Sequence, residues 1–89
     1  MESKKKKKSM IERLTSWQKS IYDIINSIGL NHKSHITFDD DYVIEFDDYS
    51  SNVKVTVFPK DEYSIEYLHR DGTKSIEFCY EPETIFMIF

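Results

Sequence analysis

The stretch SMIERLTSWQKSIYDIINSIG, residues 9–29, decides how the rest of the chain can fold. Its apolar residues recur at steps of three and four, the spacing that lines up side chains along one stripe of an α-helix. Ser9 with Glu12 predicts a capping box at the start, and Gly29 predicts the end. We therefore predict a single amphipathic helix over residues 9–29. Its apolar stripe consists of Met10, Ile11, Leu14, Trp17, Ile21, Ile24, Ile25 and Ile28.

Short segments in which apolar and polar residues alternate follow this helix, as is typical of strands. The Asp71-Gly72 pair predicts a hairpin turn, because glycine accepts a positive φ angle. With brief breaks and no second helical pattern, the segments indicate an antiparallel meander. We predict an α+β fold in which the N-terminal helix packs on a five- or six-stranded antiparallel sheet. The predicted strands are residues 35–38, 42–47, 53–58, 63–69, 74–80 and 84–89.

The alternation also predicts which side chains face the helix. In the last but one strand these are Ile76, Phe78 and Tyr80, and in the first strand Ile36 and Phe38 share one face. The final segment, TIFMIF at residues 84–89, is apolar on both faces and would be an aggregation hazard as a bare edge strand. We therefore predict that this segment is covered, pairs across a homodimer or folds inward, and we expect self-association or a partner. The residues of this predicted edge are Phe86, Ile88 and Phe89.

Length and composition indicate one small domain, residues 9–89, preceded by a basic arm over residues 1–8. The arm contains five lysines and one glutamate, so the net charge of −4 leaves the body at −8. The chain lacks alanine and has few glycines, prolines and arginines, which indicates an AT-rich genome such as that of a low-GC bacterium or a phage. No run is long enough for a membrane span. The single cysteine, Cys79, favours the reducing cytoplasm of a bacterial or infected cell.

Metal, cofactor and catalytic chemistry find little support in the sequence. His32 and His35 form an H-x-x-H pair, with His69 and Cys79 far along the chain, and this spacing is not that of a zinc site. No nucleophile elbow or phosphate-binding glycine loop occurs. We therefore expect no enzyme activity, no cofactor and no metal.

Six carboxylates are concentrated around one predicted strand, and they are the candidate partner-binding residues. Such residues commonly form turns and carry solvated charge. A second interpretation is an acidic surface that docks on a basic partner protein, because complementary charge speeds association. We favour a small inhibitor that occludes a basic groove, the principle behind many immunity and phage anti-defence proteins. The six residues are Asp39, Asp40, Asp41, Glu45, Asp47 and Asp48.

Two alternatives remain open at the level of sequence. The arm formed by Lys4, Lys5, Lys6, Lys7 and Lys8 could attract nucleic acid or an acidic membrane surface, although the acidic body opposes phosphate binding. It also has no interleaved aromatic residue for base stacking. Alternatively, the protein is a homo-oligomeric structural protein closed through residues 84–89.

Overall fold

The computed structural model describes residues 10–29, 31–47 and 51–87, and it has an α+β fold with one five-stranded antiparallel sheet. Two helices precede the sheet, α1 (Met10–Arg13) and α2 (Ser16–Ile28), and a 3₁₀ helix (Pro82–Met87) follows it. Neighbouring strands in sequence are neighbours in the sheet, as predicted for a meander. The strands are β1 (His32–Ile36), β2 (Tyr42–Asp47), β3 (Ser51–Val57), β4 (Tyr63–His69) and β5 (Lys74–Cys79).

The prediction of one continuous helix over residues 9–29 is wrong, because the helix is interrupted at Leu14 and Thr15. Thr15 is extended (φ −70°, ψ 168°), and its hydroxyl accepts a hydrogen bond from the Gln18 backbone N–H at 3.1 Å. The Gln18 side-chain oxygen accepts in return from the Thr15 N–H at 3.0 Å. This capping box starts α2 as a separate helix. The predicted cap residue Ser9 lies outside the described residues.

The end of α2 agrees with the sequence. Gly29 is left-handed (φ 78°), and its N–H donates to the Ile25 carbonyl at 3.3 Å. Since a β-carbon is disfavoured in this conformation, glycine is the natural residue there.

A single cluster of buried side chains joins α2, the sheet and the 3₁₀ helix. Ile21 and Ile25 come from α2, and Ile85 comes from the 3₁₀ helix. Each fully buried aliphatic side chain of this kind stabilises the fold by about 1.5–3 kcal/mol. The strand members of the cluster are Tyr42, Ile44, Phe46, Val53, Val55, Val57, Tyr63 and Ile65. We call the sheet face that carries them the inner face and the opposite one the outer face.

Two predicted strands are displaced along the sequence. β1 spans His32–Ile36 instead of residues 35–38, so Phe38 lies in the turn after β1 and shares no strand face with Ile36. β3 begins earlier than predicted and ends at Val57. The bounds of β2 and β4 are those predicted.

The predicted facing of β5 is wrong. Ile76 and Phe78 lie on the outer face, 54% and 57% exposed, because they stand opposite Glu66 and Ser64 of β4. The hairpin turn sets this register. The His69 N–H donates to the Thr73 carbonyl at 2.9 Å, which closes a three-residue loop with Gly72 left-handed at φ 91°. Tyr80, also predicted to face inward, is exposed.

The predicted final strand, residues 84–89, is also wrong, since residues 82–87 form the 3₁₀ helix. Pro82 opens it, a position where a missing N–H costs nothing. The Tyr63 hydroxyl donates at 2.7 Å to the carbonyl of Glu81, the residue that precedes the 3₁₀ helix. Phe86 is 53% exposed, whereas Ile88 and Phe89 lie outside the described residues.

Candidate functional site

The turn between β1 and β2, residues 37–41 (TFDDD), carries three of the six carboxylates that the sequence singled out. Two backbone hydrogen bonds close the turn. The Thr37 N–H donates to the Asp41 carbonyl at 2.8 Å, and the Asp40 N–H donates to the Thr37 carbonyl at 3.0 Å. Asp40 has a positive φ of 68°, which aspartate tolerates better than most residues. The Thr37 hydroxyl accepts from the N–H groups of Asp39 (3.2 Å) and Asp41 (3.1 Å). These bonds hold the turn in one conformation.

Gln18 ties this turn to the rest of the fold. Its side chain is only 1% exposed, and its amide nitrogen donates to the carbonyls of Asp40 (2.7 Å) and Val57 (2.9 Å). The capping box with Thr15 uses the amide oxygen, so the network satisfies both ends of the buried amide. One side chain therefore connects the start of α2, the turn and the end of β3.

The turn displays an aromatic ring among carboxylates. The side chain of Phe38 is fully exposed, and the side chains of Asp39 and Asp40 beside it are exposed as well. Partial burial, reinforced by the charges of Asp39 and Asp40, raises the pKa of the Asp41 carboxyl. Arg13 lies 3.7 Å from Asp40, but both side chains are largely exposed, so this ion pair contributes about 0–1 kcal/mol at most. The turn thus combines negative potential with an uncovered apolar group.

Two of the remaining carboxylates of the predicted site lie on β2 and not on this turn. Glu45 lies on β2, where it stands between Lys33 of β1 and Lys54 of β3 on the outer face. Asp47 ends β2 about 17 Å from its start, at roughly 3.4 Å per residue, and its side chain lies outside the description. Asp48 lies outside the described residues. The structure therefore brings together Asp39, Asp40 and Asp41 on one turn and places Glu45 and Asp47 along β2.

The outer face carries charges of both signs. Across the five strands, one row of directly opposed residues alternates basic and acidic side chains until it reaches Ile76 at the edge. Lys74 lies 2.9 Å from Glu66, and its hydrogen bond lowers the pKa of that carboxyl. A shallow groove there is lined by Glu45, Lys54, Glu66 and Lys74 among others. This mixture favours no single ionic ligand. The row is Lys33, Glu45, Lys54, Glu66 and Ile76.

The histidines and the cysteine are placed apart. His32 stands opposite the inner-face residue Phe46, whereas His35 stands opposite the outer-face residue Val43, so the two cannot share one metal ion. His69 is within 3.1 Å of the Ser75 hydroxyl. Burial raises the pKa of the Cys79 thiol, which favours its unreactive protonated form. Within the described ranges, no three metal-ligating side chains form a group.

Two residues of the site were missed at the level of sequence. Gln18 had a detectable signal, because Thr15-Ser16-Trp17-Gln18 matches the capping-box pattern as well as Ser9-Met10-Ile11-Glu12 does. Phe38 had none, since an aromatic residue two positions after Ile36 fits a strand face equally well. The lysine arm, residues 4–8, lies outside the described residues, so its interpretation stays a prediction.

The chain was also compared with known proteins. No family model, curated protein or solved structure matches it. None of the described helices has the length and apolar character that crossing a membrane requires. Function is therefore inferred from the chemistry of the chain's own residues.

Proposed function

We propose that this protein is a small binding module that docks its β1–β2 turn on a basic surface of a partner protein. The observation that carries the proposal is the fully exposed Phe38 between a hydrogen-bonded Thr37 and the carboxylates of residues 39–41. Docking there would occlude the partner's surface, which makes the module an inhibitor of the immunity or anti-defence kind. The proposed activity is binding without catalysis, in a reducing compartment that suits the free thiol of Cys79.

The aromatic ring supplies the anchor in this proposal. Moving an exposed phenylalanine ring from water into a pocket on a partner makes the free energy of binding more favourable. Aromatic residues near the centre of an interface commonly dominate its affinity. The turn is already held by its own hydrogen bonds and by Gln18. Little further ordering is therefore required on binding, which favours affinity.

The carboxylates supply selectivity. Asp39 and Asp40 are exposed beside the ring, and the body as a whole carries −8 without the arm. Negative potential steers the turn toward positively charged surfaces and raises the association rate, an effect that falls with ionic strength. A basic groove, such as one that holds nucleic-acid phosphates, is the complementary target.

Affinity capture with paired variants tests the proposal. We immobilise three proteins, the wild type, Phe38→Ala and Phe86→Ala. Nuclease-treated lysate, either of the organism that encodes the protein or of the cells that this organism attacks, is passed over each at low and high salt. We expect one basic protein to be retained by wild type and by the Phe86→Ala control, since Phe86 is an exposed ring on a different element, the 3₁₀ helix. Retention should fall at least about 30-fold with Phe38→Ala, which corresponds to about 2 kcal/mol for a dominant anchor.

Charge variants separate the two contributions. Asp39→Lys with Asp40→Lys should abolish the salt dependence and weaken capture, whereas Glu45→Lys on the outer face should leave capture unchanged. Equal capture by wild type and Phe38→Ala would contradict the proposal, as would a partner whose retention increases with salt.

A further inference from the structure

β5 forms one edge of the sheet and offers backbone hydrogen bonds to a further strand. Among the described residues no strand lies beyond it. The His69–Thr73 pair is hydrogen-bonded, and such pairs alternate along an antiparallel ladder. The N–H and C=O groups of Lys74, Ile76 and Phe78 are therefore directed away from β4.

This edge lacks the protection found at the opposite one. β1, the other edge strand, presents Lys33 and His35 on its outer face, and lysine on an edge discourages strand addition. On β5, Ile76 and Phe78 are more than half exposed, and Leu68 of β4 is exposed next to them. The lysine of this strand, Lys74, is bound to Glu66 at 2.9 Å. An exposed apolar edge of this kind is a template for pairing.

We propose that β5 pairs antiparallel with β5 of a second copy, with Ile76 on the two-fold axis, so that the two sheets become one sheet of ten strands. In this register all three outward-directed residues pair, Ile76 with its own counterpart and Lys74 with Phe78 of the second copy. A two-fold interface of this kind is self-complementary by construction.

Charge and the number of paired residues together select this register. With Ile76 on the axis, Glu77 stands opposite Ser75 of the second copy, and no like charges are opposed. A slip of two residues, the smallest shift that keeps the outward groups paired, has two directions. One direction sets Glu77 against Glu77 of the second copy, which is destabilising. The other sets Ser75 against Ser75 and moves Phe78 opposite Gly72 of the hairpin turn, so Phe78 no longer pairs within the strand. The outer-face row of alternating charges also ends on Ile76. A charged residue there would meet itself across the axis, and isoleucine instead makes an apolar contact.

Sedimentation of the full chain tests the pairing. We expect the wild type to dimerise with rising concentration and Ile76→Pro to remain monomeric. The Ile76 N–H is directed away from β4, so proline at this edge position should leave the fold intact, as circular dichroism of the same sample would verify. Phe86→Ala should dimerise like the wild type. A wild type that stays monomeric at every concentration, or a folded Ile76→Pro that still dimerises, would overturn the proposal.

Cysteine cross-linking tests the register in a Cys79→Ser background. Under mild oxidation, Ile76→Cys should form a disulfide-linked dimer, because residues opposed in a hydrogen-bonded pair have Cα atoms about 5.5 Å apart. Glu77→Cys should not, because its counterpart lies diagonally at roughly 8 Å, beyond the reach of a disulfide. Cross-linking of Glu77→Cys in preference to Ile76→Cys would overturn the proposed register.

Discussion

The β1–β2 turn and the β5 edge both expose phenylalanine, but the surroundings of the two rings differ. Phe38 sits among carboxylates on a turn that its own hydrogen bonds hold in place. Phe78 sits on a strand edge beside Ile76, where Glu66, the acid opposite Ile76 on the outer face, is already bound to Lys74. Two copies of the turn repel each other, whereas two copies of β5 oppose no like charges. In the two proposals, the charges around each exposed ring decide whether its partner is a different protein or a second copy.

Gln18 holds the β1–β2 turn in place, so we expect its substitution to have the largest effect on the contrast between the turn and the β5 edge. Gln18→Met keeps the approximate size but removes the donor to the Asp40 and Val57 carbonyls and one half of the capping box. Since each buried group left unpaired costs about 1–3 kcal/mol, we expect the free energy of unfolding to fall by about 2–4 kcal/mol. Urea denaturation followed by circular dichroism measures it.

The neighbouring exposed lysine provides the control. Lys19→Met should change the free energy of unfolding by less than about 0.5 kcal/mol. A Gln18→Met variant as stable as Lys19→Met would show that the observed hydrogen bonds do not hold the turn.

A smaller effect is expected from Thr37→Val, which keeps the branched shape and removes the hydroxyl that accepts from the Asp39 and Asp41 N–H groups. We expect a loss of about 1 kcal/mol, because the turn is partly exposed and water replaces the lost acceptor. Amide hydrogen exchange should accelerate at residues 39 and 41 and stay unchanged in β4. Exchange that accelerates equally in both regions would mean that the hydroxyl supports the whole fold instead of the turn.

The smallest effect concerns the charge of Asp41. Partial burial and the charges of Asp39 and Asp40 raise its pKa above the ordinary value of 3.8. The folded state then binds this proton more tightly than the unfolded state, so stability falls as pH rises from about 3.8 through the raised pKa. We expect Asp41→Asn to be slightly more stable than the wild type at pH 7, by less than about 0.5 kcal/mol.

The pH dependence separates charge from packing in this variant. The advantage of Asp41→Asn should disappear as pH is lowered below 3.8, where both states of the wild type are protonated. Thermal unfolding at a series of pH values measures it. An advantage that stays constant with pH would mean that the charge of Asp41 is not its cause.

The general architecture could be predicted from local pattern. The alternation of apolar residues in 42–47 and 63–69 matches β2 and β4, and Gly29 and Gly72 mark a helix end and a turn where positive φ angles occur. These features depend on a few neighbouring residues, which is why a single sequence suffices for them.

Features set by competition between local signals could not be predicted. Two capping-box sequence patterns lie within ten residues, and the second starts the longer helix. The facing of β5 depends on the length of the hairpin loop, and one residue more or less reverses it. The apolar segment at residues 85–87 fits a strand or a helix equally well, and its outcome depends on the packing of Ile85 in the core. Phe38 and Gln18 belong to the candidate site because of such tertiary interactions.

Site-specific photo-crosslinking tests the central claim, that the β1–β2 turn is the partner-binding surface, most directly. A photoreactive phenylalanine replaces Phe38 in one sample and Phe86 in another, and both are irradiated in host lysate at low and high salt. Cross-linking of one basic protein from position 38, lost at high salt and absent from position 86, is the predicted result. Equal products from both positions, or products from position 86 alone, would contradict the claim.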